Sequence, residues 1–126
     1  IQIILDIVSA VKHLHKIKLV HRDIKQDNIL LTNDYRAVLI DFSHTTIKDK
    51  CFDHNVCTYT HRPPEIFKYR KHKEAGEPCK NYDEKIDMWA IGIIIFELVI
   101  NMKMVELLQK EEQYEELFNE NNEKET

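Results

Sequence analysis

The sequence predicts a mainly α-helical fold with one short β-hairpin, and three observations carry that reading. Ile4, Ile7, Val8, Val11, Leu14 and His15 recur at three- and four-residue spacing, one face of a helix from about Ile1 to about Lys16. Asp83 to Ile100 is strongly apolar and reads as a second helix, buried on most sides. Between them, Ile29–Leu31 and Ala37–Ile40 are short apolar runs separated by Thr32-Asn33-Asp34, the composition of a tight antiparallel hairpin.

The remaining segments fall into place around these three. Leu19 and Val20 lead from the first helix into a polar loop, His21 to Asp27. Asp41 to Pro64 has no clean period, and irregular segments of that length are functional or disordered. Pro63-Pro64 implies extended backbone that stops any preceding helix. Residues 68–82 are charged, contain Gly76 and Pro78, and predict a surface insertion. Met104, Leu108, Tyr114, Leu117 and Phe118 fit one face of a further, acidic helix, and Asn119 to Thr126 has the composition of a disordered end. The expected organisation is one domain over 1–102 and an acidic tail over 103–126.

Composition narrows the function classes. The chain has 126 residues, enough for one small domain. A net charge of -4 with scattered Lys and Arg argues against nucleic acid as the main partner. The short basic cluster from Lys68 to Lys73 reads as a solvated loop. Three cysteines, Cys51, Cys57 and Cys79, form no paired framework, which fits a reducing compartment inside the cell, cytoplasm or nucleus. The run Met88 to Ile100 carries Glu97 and is shorter than the roughly 20 residues of a membrane span, so no membrane is expected. Ile1 rather than Met opens the sequence, leading to the expectation of a fragment or processed product. The two glycines, Gly76 and Gly92, cannot build a glycine-rich phosphate loop.

The chemistry-bearing residues lie in the polar loop His21-Arg22-Asp23-Ile24-Lys25-Gln26-Asp27-Asn28 and at Asp41, thirteen positions after Asn28. Asp23, Asn28 and Asp41 converge if the hairpin folds back beside the loop. Phosphoryl transfer needs such a set. One carboxylate orients the attacking hydroxyl, a carboxylate and an amide oxygen hold Mg²⁺, and a lysine steadies charge on the transferred group.

At these residues the sequence resembles the protein kinase family. His21 to Asn28 is similar to the catalytic loop His-Arg-Asp-Leu-Lys-Pro-x-Asn, with Ile24 for Leu and Gln26 for Pro. Asp41-Phe42-Ser43 resembles Asp-Phe-Gly, Pro63-Pro64-Glu65 resembles Ala-Pro-Glu, and Asp87 to Gly92 resembles Asp-x-Trp-x-x-Gly. Four motifs in order, over residues 1 to about 100, make coincidence a poor account. The resemblance implies an incomplete large lobe, with the N-terminal lobe, its glycine-rich loop, strand lysine and partner glutamate lying before Ile1. It implies Asp23 as catalytic base, Lys25 at the γ-phosphate, Asn28 and Asp41 on magnesium, and Leu30 beneath the adenine of ATP. His21 and Phe42 would pack in a spine leading to the helix of Asp87.

Lys25 and Thr58 match the Ser/Thr branch, where that threonine bridges the catalytic Asp and Lys. A protein substrate and a regulatory protein are the implied partners. Arg62 before Pro63-Pro64-Glu65 resembles the cyclin-dependent-like branch. Aligned with that branch, Asp53 stands where a threonine is phosphorylated and paired with the arginine at Arg22. Asp53 is therefore expected to hold Arg22 by a built-in charge. Departures are Ser43 for glycine, which restricts switching of that loop, a segment from Glu65 to Asp87 about ten residues longer than the family norm, and no arginine partner for Glu65 beyond Asp87. Two other classes stay open. One is a pseudokinase or docking module without catalysis. The other is a small zinc-binding protein using Cys51, His54, Cys57 and His61.

Overall fold

A computed structural model describes residues 1–53, 55–76 and 81–112, with the side chain of Tyr69 excepted. Helix α1 spans Gln2–Lys16. Strand β1, Leu19–Val20, pairs antiparallel with β4, Thr46–Ile47. Strands β2, Ile29–Leu31, and β3, Ala37–Leu39, form the hairpin, with Ile29 opposite Leu39 and Leu30 opposite Val38. Helix α2 covers Pro64–Glu74 and helix α3 covers Lys85–Ile100. Single 3-10 turns lie at Gln26–Asn28, Lys48–Lys50 and Tyr59–His61. The architecture is mainly helical with the short hairpin that the sequence predicts; the β1–β4 ladder is a further pairing that the sequence analysis did not give. The chain divides into two compact units, Ile1–Ile95 and Phe96–Thr126; in the second, 104–112 is helical.

The first core joins α1, the hairpin and α3. Ile7 and Val11 of α1 pack with Ile24, Leu39, Ala90, Ile91 and Ile94, with Ile3, Ala10 and Leu14 at its edge. The stripe is turned slightly from the sequence expectation, leaving Val8 at the solvent margin. Side chains alternate across a strand, so Ile29 and Leu39 face this core while Leu30 and Val38 share the exposed face. Asp6 welds α1 to the hairpin. It accepts from Arg36 Nε (2.9 Å) and Nη2 (2.8 Å), Ala37 N (3.0 Å) and Gln2 Nε2 (2.8 Å). The Arg36 bond, then those from Ala37 and Gln2, hold its carboxyl well below the usual range. A second core gathers Val20, Cys51, Val56, Ile66, Tyr82 and Ile86 beneath the irregular segment.

Three expectations need correction. Pro64 is not extended: it opens α2 at N1, where a missing N–H costs nothing, while Pro63 before it is extended (φ -74°, ψ 160°). Residues 68–74 belong to that helix rather than to a loop, although they lie on the surface as expected; 77–80 lie outside the described residues. Helix α3 is not buried on most sides. Ile86, Asp87, Ala90, Ile91 and Ile94 face the two cores, but Met88 is 50% and Trp89 44% exposed. The described layers cover one face of α3, which its all-round apolarity did not reveal. The expected roles of Tyr114, Leu117 and Phe118, and of the end from Asn119, fall outside the described residues. No helix among the described residues is long and apolar enough to cross a membrane.

Candidate active site

The polar loop is anchored from beneath by Asp87, at the start of α3 and 1% exposed. Its Oδ2 accepts from His21 N (2.9 Å) and His15 Nε2 (2.8 Å), and its Oδ1 from Arg22 N (2.9 Å). These bonds offset a backbone cost. Arg22 sits at φ 71°, and a non-glycine residue there stores about 1 kcal/mol or more. Cys57, at φ 62°, donates its N–H to Arg22 O (3.0 Å), and Asp41 stands at φ 59°. Left-handed residues thus cluster where the loop, the hairpin end and the irregular segment meet.

Above this base, four predicted residues form one network. Thr58 Oγ1 donates to Asp23 Oδ1 (2.9 Å) and accepts from Lys25 Nζ (3.0 Å). Asn28 Nδ2 donates to Asp23 O (2.8 Å) and Oδ2 (3.2 Å). Lys25 Nζ and His44 Nδ1 each lie 3.9 Å from Asp23 Oδ2. Asp23 and Asn28 are buried, and a carboxylate with four acceptor positions still has room for a further donor.

Asp41 joins this group through the backbone. Ile40 N donates to Asn28 O (2.9 Å), which brings the hairpin end beside the loop. The Asp41 carboxylate accepts from Ser43 Oγ (2.7 Å) and Ser43 N (3.2 Å), and these bonds hold it below its ordinary pKa, hence ionised. With Nδ2 of Asn28 spent on Asp23, its Oδ1 is the atom left to accept. An ionised carboxylate and an amide oxygen are hard oxygen donors that fit magnesium. His21 is fully buried, bonds Ile40 O through Nε2 (3.1 Å) and meets Phe42 edge to face at 5.4 Å. Leu30, 54% exposed, offers an apolar surface beside Val38. A cavity of about 660 Å³ opens not at Asp23 but between α1 and β3, lined by Ala10, His13, Leu14, Val38 and Phe42 among others.

A protein kinase domain model matches residues 1–125. This chain belongs to the protein kinase family. It is 38% identical over 96 residues to a "Probable LIM domain-containing serine/threonine-protein kinase" of Dictyostelium discoideum, an alignment covering 75% of this chain and 9% of that protein. It is 35% identical over 102 residues to "Serine/threonine-protein kinase KSP1" of Saccharomyces cerevisiae (79% and 10%), and 29% identical over 116 residues to an "Aurora kinase" of Candida glabrata (90% and 30%). The chain therefore spans between 9% and 30% of the length of these relatives.

Within this kinase segment two predicted residues sit apart from the network. Glu65 is exposed near the start of α2 and has no ion pair among the described residues. Asp53 does not pair directly with Arg22, contrary to the sequence expectation. Its Oδ1 accepts from Asn55 N (3.0 Å), a local turn bond. Arg22 instead donates Nε to His44 O (2.6 Å) and Nη1 to Tyr82 Oη (3.0 Å).

Among the described residues the zinc reading finds no matching geometry. Cys51 is enclosed in the second core, His61 is buried, and His54 lies outside the described residues. Among the described residues no three His, Cys, Asp or Glu side chains gather as a metal set. Sequence reasoning missed His44 and Tyr82, and placed His15 on the helix face without its partner Asp87, because each meets its partner through the fold.

Proposed function

We propose that this chain is the catalytic segment of a Ser/Thr protein kinase, which moves the γ-phosphate of ATP to a Ser or Thr hydroxyl of a protein. The observation that carries the proposal is the bond pattern in which Thr58 joins Asp23 to Lys25 while Asn28 clamps Asp23 from the other side. Asp23 then presents a fixed carboxylate that orients the substrate hydroxyl and accepts its proton. Lys25, held by Thr58, stands beside that carboxylate to steady charge on the transferred group. Asn28 and Asp41 would hold magnesium, which when bound neutralises phosphate charge. Leu30 gives the adenine an apolar seat. Gly76 and Gly92 cannot supply a glycine-rich phosphate-covering loop.

The Ser/Thr choice rests on Lys25 and Thr58 together with the names of the relatives. The intact set Asp23, Lys25, Asn28 and Asp41 favours an enzyme over a docking module. An intracellular setting, with a regulatory protein as further partner, completes the proposal. The test is phosphoamino-acid analysis of a generic protein substrate after incubation with the full-length protein, ATP and magnesium. Phosphoserine and phosphothreonine are expected. Phosphotyrosine alone would refute the substrate class, and no transfer by a folded full-length protein would refute the enzyme.

A further inference from the structure

Arg22 and the segment after Asp41 meet at a residue that the resemblance assigns no role. Tyr82, just before α3, is 7% exposed and packs among Val20, Cys51, Val56, Ile66 and Ile86. Its ring is held in that core, so its hydroxyl cannot swing away. The hydroxyl accepts from Arg22 Nη1 at 3.0 Å and donates to the main-chain carbonyl of Asp53. Burial, the largest influence, pushes the phenol up to about 12, which keeps it a neutral donor at physiological pH.

These bonds attach the segment from His44 to Cys57 to one arginine at three places. Arg22 Nε holds His44 O, Arg22 Nη1 reaches Asp53 O through Tyr82, and Arg22 O accepts from Cys57 N. Thr58, the next residue, bonds Asp23. Slack anywhere along the segment would pass directly to the contact that orients the Asp23 carboxylate. The Asp53 side chain makes no bond to Arg22; its Oδ1 accepts from Asn55 N.

We propose that Tyr82 is a positioning residue for the active site: its hydroxyl, bridging the Arg22 guanidinium and the Asp53 carbonyl, fastens the middle of the activation segment to the catalytic loop without a phosphate and without a charge pair to Asp53. The clamp stands on the geometry alone; its effect on catalysis rests on the kinase reading above. A partly buried bond between a guanidinium and a neutral phenol is screened by salt less than an exposed ion pair, which weakens as salt rises.

The experiment is hydrogen–deuterium exchange of the full-length protein, with kcat and KM measured on the same samples. Tyr82→Phe keeps the ring and removes the hydroxyl. Exchange over 44–57 should quicken about three- to tenfold, as loss of one or two buried hydrogen bonds implies. Peptides of α1 should not change, and kcat should fall while KM for ATP holds. Asp53→Asn, which preserves an acceptor for Asn55 N, should leave exchange over 44–57 unchanged. Wild-type exchange in Tyr82→Phe, quickening spread evenly over the chain, or equal quickening in Asp53→Asn overturns the clamp. Should Tyr82→Phe fold poorly, Lys48→Gln, which removes the segment's own ion pair with Glu84 (2.9 Å), decides: exchange over 44–57 that is unchanged between low and high salt supports the clamp, and quickening with salt overturns it. A wild type that transfers no phosphate defeats the kinase reading, and the exchange comparison still decides the clamp.

Discussion

Asp87 is the residue on which the polar loop from His21 to Asn28 rests, and Asp87→Asn perturbs it with least change of shape. The carboxylate serves three donors: His21 N and His15 Nε2 on one oxygen, Arg22 N on the other. An amide has one oxygen. If it keeps the His21 and His15 bonds, its NH₂ faces Arg22 N–H, leaving a buried donor opposed by a second donor. Hydrogen bonds to charged groups contribute about 1.5–3 kcal/mol and an orphaned buried donor costs a comparable amount, so the change should cost about 2–3 kcal/mol. Asp87→Ala strands all three donors and should cost about 3–5 kcal/mol, the scale for removing one member of a buried polar pair. Against a total stability of about 5–15 kcal/mol, either loss is large. Urea unfolding followed by circular dichroism is the assay. With a slope of about 1–3 kcal/mol per molar, Asp87→Asn should lower the midpoint by about 1 M or more. Arg22, at φ 71°, loses the bond that secures its backbone, so activity should fall further than stability alone explains. A midpoint within about 0.2 M of wild type, against the shift the slope implies, would show that the loop does not hang on Asp87.

Three further outcomes follow from the same contacts. Thr58→Val removes the hydroxyl between Asp23 and Lys25 and should reduce kcat by about tenfold or more, while Thr58→Ser should recover most of it; equal activity in both refutes the bridge. Burial pushes the Cys51 and Cys57 thiols up to about 11 and about 12, as it does the Tyr82 phenol. A raised folded pKa gives stability that is complete below the ordinary value and lost as pH rises toward the folded one. The thermal midpoint should therefore decline between about pH 9 and about pH 12, and both thiols should resist alkylation at pH 8; a flat midpoint or rapid labelling contradicts this. Trp89 is 44% exposed, so Trp89→Ala should cost less than the roughly 3–5 kcal/mol of a fully buried aromatic, and denaturant unfolding will show a full-sized loss if α3 is more deeply enclosed.

The sequence carried the elements whose physics is local. The α1 stripe, the hairpin around Thr32-Asn33-Asp34 and the apolar α3 all follow from periodicity and turn chemistry, and the structure has each of them. The polar loop of the proposed site was legible because its residues are adjacent in the chain. What stayed hidden depends on folding. The all-apolar α3 gives no moment to say which face is covered, so Trp89 looked buried. Pro64 looked like a breaker because a helix that begins at a proline and one that ends before it leave the same mark. Asp53 looked like a partner for Arg22 from alignment position alone, whereas its side chain bonds only Asn55 N among the described residues and Tyr82, 29 positions on, takes its carbonyl. The Asp6–Arg36 weld and the His15–Asp87 bond, at separations of 30 and 72, leave no periodic trace.

The central claim is that Asp23, fixed by Thr58 and Asn28, is the base of phosphoryl transfer. Its most direct test compares wild type, Asp23→Asn, Asp41→Asn and the double variant of the full-length protein, measuring γ-phosphate transfer to a protein substrate alongside magnesium-dependent ATP binding. Asp23→Asn should lose about 10²- to 10⁴-fold in kcat while binding ATP as wild type does. Asp41→Asn should weaken magnesium-dependent ATP binding, and the double variant should be little worse than the poorer single one, because the groups act as a unit. An Asp23→Asn protein that turns over like wild type would contradict the account at its centre.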